Sequence, residues 1–224
     1  MRIDVFTLFP EWFDWFHAQR HVRNALEHGS DLRFFNYRDT SPLGGGQVDD
    51  APYGGGAGMV LRVDAVDAAL SSAYADGRQP SRIVLLAPSG RQLDDRLASE
   101  LAREPHIALL CGRYEGVDER VREHLVSDTV SIGHYVLSGG ELAAMVIADT
   151  VIRKLPGALS HVESVIEESF SDALEGGPEY PHYTRPATYR GWAVPDVLLS
   201  GDHARVREWR LARSGRRLRG APER

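Results

Sequence analysis

The chain has 224 residues, 42% of them hydrophobic and 26% charged, and carries a net charge of −6, which gives material for one sizeable core and a small appended unit. No run approaches the roughly 20 apolar residues of a membrane span, so no membrane partner is expected. One cysteine, Cys111, excludes an internal disulfide, and an N-terminus that enters a strand pattern without a signal-peptide profile gives the expectation of a cytoplasmic protein.

Short apolar or alternating runs at 3–8, 32–37, 83–87 and 107–111 predict strands. They alternate with helical patterns at 11–28, 63–74, 93–103 and 117–125, whose Glu11, Asp64, Asp94 and Asp118 suit a first turn through capping or the helix dipole. This alternation predicts an α/β fold with a mainly parallel sheet flanked by helices. The longest apolar helix is expected at 141–155, ended by Pro156-Gly157. Its Leu142, Met145, Val146, Asp149 and Ile152 form one broad face, to pack on the sheet or on a second subunit. Residues 160–181 are polar, with five glutamates and a Gly176-Gly177-Pro178 turn, and read as an interdomain linker. Beyond it, patterns at 194–199 and 202–213 suggest a small helical domain with Trp192, Val197, Leu198, Trp209 and Leu211 as its core. The expected division is 1–159, 160–181 and 182–224.

Charge is unevenly spread. Residues 205–224 hold eight arginines against Glu208 and Glu223, a local charge of +6 that leaves −12 for the rest. From charge alone, this tail is either a phosphate-facing patch or a solvated helix face with a frayed terminus.

Three glycine-dense stretches carry the chemistry. Ser131-Ile132-Gly133-His134-Tyr135-Val136-Leu137-Ser138-Gly139-Gly140-Glu141 precedes the long helix, and it suits backbone contact with a flat ligand: glycine permits positive φ and removes the Cβ that would hold a ligand away. Cys111-Gly112-Arg113-Tyr114-Glu115-Gly116-Val117 follows a buried strand pattern, at the end that faces the ligand crevice in open α/β sheets. Upstream, Val48 to Met59 forms a second polar loop, and downstream lies Pro181-His182-Tyr183-Thr184-Arg185-Pro186. No G-x-G-x-x-G follows the first strand and Lys154 lies in no Walker loop, which argues against nicotinamide dehydrogenases and NTPases. His17 and His21 have i, i+4 spacing but lack the intervening glutamate and a third ligand, so no metal site is expected.

These motifs, in this order from Arg2 to the Trp209 helix, resemble the bacterial tRNA (guanine-N1)-methyltransferases of the knotted SPOUT class. The resemblance implies methylation of N1 of the guanosine just 3′ of the anticodon (tRNA position 37), with S-adenosylmethionine bound in a deep trefoil knot. It also implies a homodimer whose active sites are shared between chains, and a use of Mg²⁺. It assigns donor contacts to Leu85, Leu86, Ala87, Gly112, Tyr114, Glu115, Ile132, Gly133, His134, Tyr135, Val136, Leu137, Gly139 and Gly140. Guanine N1 carries a proton, so a base must remove it and a cation must offset the charge that develops at O6. By resemblance the cation is Arg153 and the base is Glu168, in Glu167-Glu168-Ser169-Phe170 where the family has aspartate; Glu167 and Asp172 compete for that role. Read without the resemblance, Leu85 and Leu86 are core strand residues, and Glu115 and Glu141 are helix-dipole partners.

The chain departs from the pattern at Glu168, at His134 in place of aspartate, at Ala57 and Ala143 in place of prolines, and in the Leu43 to Gln47 loop. A neutral His134 weakens attraction for a cationic donor and makes affinity pH-dependent. The competing reading is an RNA-binding protein of this fold that has lost methyl transfer.

Overall fold

The structure is a computed structural model and describes residues 1–159, 168–171, 174 and 176–214. The chain divides into two compact units, Met1–Ser160 and His161–Arg224. The first unit runs β1 (Arg2–Thr7), α1 (Asp14–His17), α2 (Arg20–Glu27), β2 (Asp31–Asn36), β3 (Asp49–Asp50), β4 (Val60–Leu61), α3 (Val63–Ala73), β5 (Arg82–Gln92), α4 (Asp95–Ala102), β6 (His106–Cys111), α5 (Glu119–His124), β7 (Asp128–Ser131) and α6 (Glu141–Ile152). Strands β2-β1-β6-β5-β7 form one sheet in that order, and every neighbouring pair is parallel.

Period-two alternation along the strands sends side chains to both faces. Ile3, Val5, Val84, Leu86, Ile107, Leu109 and Cys111 pack in one layer with the buried residues of α2, α4 and α6. Phe6, Leu85, Ala108 and Leu110 pack in the other with α3 and with Val121 of α5. Complete burial of a residue such as Leu109 contributes roughly 1.5–3 kcal/mol. At the amino-terminal edge of the sheet, fully buried Asp4 accepts from Arg33 Nε and Nη2 at 3.0 Å each and from the Tyr74 hydroxyl at 3.1 Å, and lies 2.8 Å from His106 Nε2. A buried carboxylate needs such partners. Burial, with Asp4 adding to it, pushes the Tyr74 hydroxyl well up.

Several elements differ from expectation. The single helix at 11–28 is three pieces, a 3₁₀ turn at Pro10–Phe13 followed by α1 and α2, because Gln19 is extended (φ −65°, ψ 143°) between them. Asp94 and Asp118 do cap their helices, accepting from Leu97 N and Arg120 N; Asp64 instead pairs with Arg62. Strand β7 was not expected, since Val130 is the only large apolar residue in it. In β5 both Leu86 and Arg91 pair with Val130, so the intervening residues 87–90 bulge out. Pro88 has no N–H to give a ladder, and a Cβ at Gly90 would stand 2.5 Å from Val130 N. Of the two partners expected for the apolar face of α6, the sheet takes little of it. Ala143, Ala144, Ile147, Ala148, Val151 and Ile152 are buried, whereas Leu142 and Val146 are 51% and 41% exposed.

In the second unit, β8 (Thr188–Tyr189) and β9 (Trp192–Ala193) form a hairpin, followed by helices at Asp196–Leu199 and His203–Arg213. Asp202 caps the latter, accepting from Ala204 N and Arg205 N. The expected core does not close. Trp192 and Leu211 are 70% and 61% exposed, Val197, Leu198 and Trp209 are half-buried, and no described residue of this unit is buried. Two-residue strands and a four-residue helix supply too little surface to cover them.

Candidate functional site

A cavity of about 360 Å³ opens at the carboxyl ends of β6 and β7 and beside the β5 bulge. Of the residues assigned to the donor, Leu85, Leu86, Ala87, Gly112, Tyr114, Glu115, Ile132, Gly133, Tyr135, Val136, Leu137, Gly139 and Gly140 all line it. His134 does not; it is exposed beyond the lining. Pro88, Arg113, Gly116, Val117, Val130, Ser131, Ser138 and Ala143 complete the wall and were missed. Arg113, Gly116, Val117, Ser131 and Ser138 lay inside motifs already singled out, and Ala143 follows from the first turn of α6; Val130 belongs to the unexpected strand.

The fold itself leaves little room for a side chain at these glycines. Gly133, Gly139 and Gly140 all have negative φ or lie outside the left-handed region. A Cβ at Gly133 would overlap the Tyr135 ring. At Gly139 it would overlap Glu141 Oε2 and stand 2.7 Å from Arg113 Nη1, and at Gly140 it would stand 2.7 Å from Cys111 Cα and 2.9 Å from Gly112 N. The space that a side chain would take is occupied by protein. The two loops cross there, with Gly140 N donating to Gly112 O at 2.8 Å and Arg113 bridged to Gly139.

Tyr114 holds the left-handed conformation (φ 61°), uncommon for a bulky residue. Its neighbours fix it: Val60 bridges to Tyr114, Glu115 N donates to Met59 O at 3.0 Å, and Leu61 N donates to Gly116 O at 3.0 Å. Burial and a hydrogen bond to Asp49 raise the Tyr114 hydroxyl above its ordinary value. Thus the polar loop before β4 is tied to the cavity wall.

Beneath the wall lies buried Glu141. Its Oε1 accepts from Thr7 Oγ1 at 2.8 Å, and Arg113 Nη1 is 3.9 Å from its Oε2. Burial, with Glu141 adding to it, pushes the Cys111 thiol well up, so this cysteine is packing rather than nucleophile.

Arg153 is half-buried at the C-cap of α6. Glu168 is half-buried in a tight turn in which Ser171 N donates to Glu168 O at 3.0 Å and Phe170 adopts φ 72°. Glu167 and Asp172 lie outside the described residues. Arg205, Arg207, Arg210 and Arg213 stand on the last helix, and the tail from 215 onward is likewise outside. Arg210 lies 4.7 Å over the Tyr180 ring and Arg213 5.6 Å over Trp209, whose ring meets Tyr183 edge-on. His21 Nε2 is 2.7 Å from Asp149 Oδ1 without hydrogen-bond geometry. Among the described residues no group of three His, Cys, Asp or Glu could hold a metal, and no helix is long and apolar enough to cross a membrane.

Residues 1–221 match the family model described as tRNA (Guanine-1)-methyltransferase TrmD. The chain belongs to that family. It is 51% identical over 220 residues to a tRNA (guanine-N(1)-)-methyltransferase of Brevibacillus brevis, covering 98% of this chain and 88% of the relative. A namesake from Shouchella clausii is 50% identical over 97% of this chain and 88% of its own length. Among solved structures, the tRNA (m1G37) methyltransferase from Aquifex aeolicus superposes with a TM-score of 0.78 at 37% identity, covering 95% of this chain and 88% of that one. Membership in the TrmD family and the parallel sheet agree with the expected fold class.

Proposed function

We propose that this chain transfers a methyl group from S-adenosylmethionine to N1 of guanine at position 37 of tRNA. The observation that carries the reading is that the family's donor-binding stretches, far apart in sequence, converge on one cavity at the carboxyl end of a parallel sheet. That is where ligands bind in open α/β sheets. The cavity suits the donor: its volume is within the range of small-molecule sites, Leu85, Leu86, Val130, Ile132, Leu137 and Ala143 give apolar walls, and Glu115 gives an anionic edge to a cationic ligand.

S-adenosylmethionine supplies the methyl group. The chain's part is to hold the donor in the cavity, where a fixed orientation towards the acceptor lone pair lowers the barrier by several kcal/mol. Glu168 takes the N1 proton, and Arg153 offsets the negative charge that develops on O6. Residues 1–159 hold the donor, 182–224 bind tRNA and 160–181 join them; exposed Tyr183, Tyr189 and Trp192 interleaved with Arg190, Arg210 and Arg213 support the RNA role. The protein works in the cytoplasm as a homodimer, which the outward Leu142 and Val146 of α6 support, and the loop crossing at Gly112 and Gly140 belongs to a trefoil knot. Mg²⁺ takes part in catalysis by family resemblance alone.

Incubation with labelled donor and unmodified tRNA, followed by mapping of the product, tests the reading. Label on N1 of the guanine next to the anticodon is expected. Donor binding without transfer would favour an RNA-binding protein that has lost the chemistry.

A further inference from the structure

Glu141 opens α6, where a carboxylate is favoured by the helix dipole. That alone does not explain its burial, since even a partly buried dipole partner gains only about 2 kcal/mol, less than the several kcal/mol that burying a carboxylate costs. It is 1% exposed. One oxygen accepts from Thr7, whose Oγ1 also accepts from Phe9 N at 2.9 Å. Among the described residues the other oxygen has no hydrogen-bond partner, and neither has the buried Arg113 Nη1 that lies 3.9 Å from it. The Arg113 guanidinium is stacked over Phe9 at 4.8 Å and Trp12 at 5.8 Å. Across the pair runs the backbone of Gly139, bridged to Arg113, with no room for a side chain. Both Arg113 and Gly139 line the cavity.

A charge this deep is costly unless its partner is held in place. We propose that Glu141 is a positioning residue: its carboxylate, anchored by Thr7, holds Arg113 against Phe9 and thereby fixes the Gly139 wall against which the donor lies. The effect falls on donor affinity and not on the methyl-transfer step. This inference rests on the donor reading above.

The test is calorimetry with S-adenosylmethionine on the full chain, at a temperature where circular dichroism shows each protein folded. Glu141→Gln keeps the shape and the Thr7 contact, and is expected to weaken binding about tenfold, with a single-turnover rate at saturating donor within about twofold of wild type. Arg113→Met is expected to give a similar loss, and the double variant no more than the larger single loss, because the two act as one unit. Thr7→Val, outside the cavity lining, is expected to weaken binding about threefold, and it stands in should Glu141→Gln not fold. Wild-type affinity in Glu141→Gln or Thr7→Val, or losses that add in the double variant, would overturn the inference. A wild-type protein that does not bind the donor would overturn the donor reading itself, and this inference with it.

Discussion

In the unit Met1–Ser160, Val5, Ile107 and Leu109 are sealed on one face of the sheet, and Phe6, Leu85 and Leu110 on the other, each beneath its own helices; in the unit His161–Arg224, Trp192 and Leu211 stand in solvent. The difference separates two ways of building recognition. The cavity is a product of packing, because its walls are loops pressed on one another and on a core. The second unit offers a surface of aromatic rings and guanidinium groups held by cation–π contacts, and such surfaces take their energy from what stacks on them.

The sharpest test of this division is chemical. Glu168→Ala, in the second unit, is expected to lower the single-turnover rate by about 10²–10⁴-fold while calorimetry finds donor affinity unchanged; Arg153→Ala should lower the same rate through lost charge stabilisation. Next in size is stability. Leu109→Ala should cost about 2–5 kcal/mol in urea unfolding, whereas Trp192→Ala should stay within about 0.5 kcal/mol; equal costs would erase the contrast. The same Trp192→Ala is expected to weaken tRNA binding about tenfold, by roughly the energy of one stacked base, read by filter binding at fixed salt. The smallest effect is acid sensitivity. Arg62 and Arg120 hold the Asp64 and Asp118 carboxyls below their ordinary values. Their contribution is therefore present above the usual carboxylate range and lost as pH falls through the depressed values. Asp118→Asn should flatten the acid limb of a melting-temperature profile slightly.

Legibility from sequence followed the same division. Strands β1, β2 and β6 were found to within a residue, because each is a short apolar run with turns at its ends. The far end of β5 was missed, since the bulge at 87–90 interrupts the run. Helix α6 is apolar nearly all round, so its pattern could not tell which side meets the sheet, and small Ala143, Ala144 and Ala148 mark that side along with Ile147 and Val151. The cavity wall was legible through its motifs, but the support beneath it was not: Thr7 meets Glu141 across 134 positions, a pairing that no local pattern signals. For the second unit, apolar spacing suggested a core where the structure has an open surface, since spacing reports which residues share a helix face and not whether anything covers that face.

The filled space at Gly139 and Gly140 also limits which substitutions the crossing of the two loops can accept. A side chain there would have to displace Arg113 and Glu141 at Gly139, or backbone at Gly140. At Gly112 a built Cβ would meet its nearest atoms at ordinary contact distances of 3.6 and 3.7 Å. Tolerance for a new side chain in this wall is therefore concentrated at Gly112.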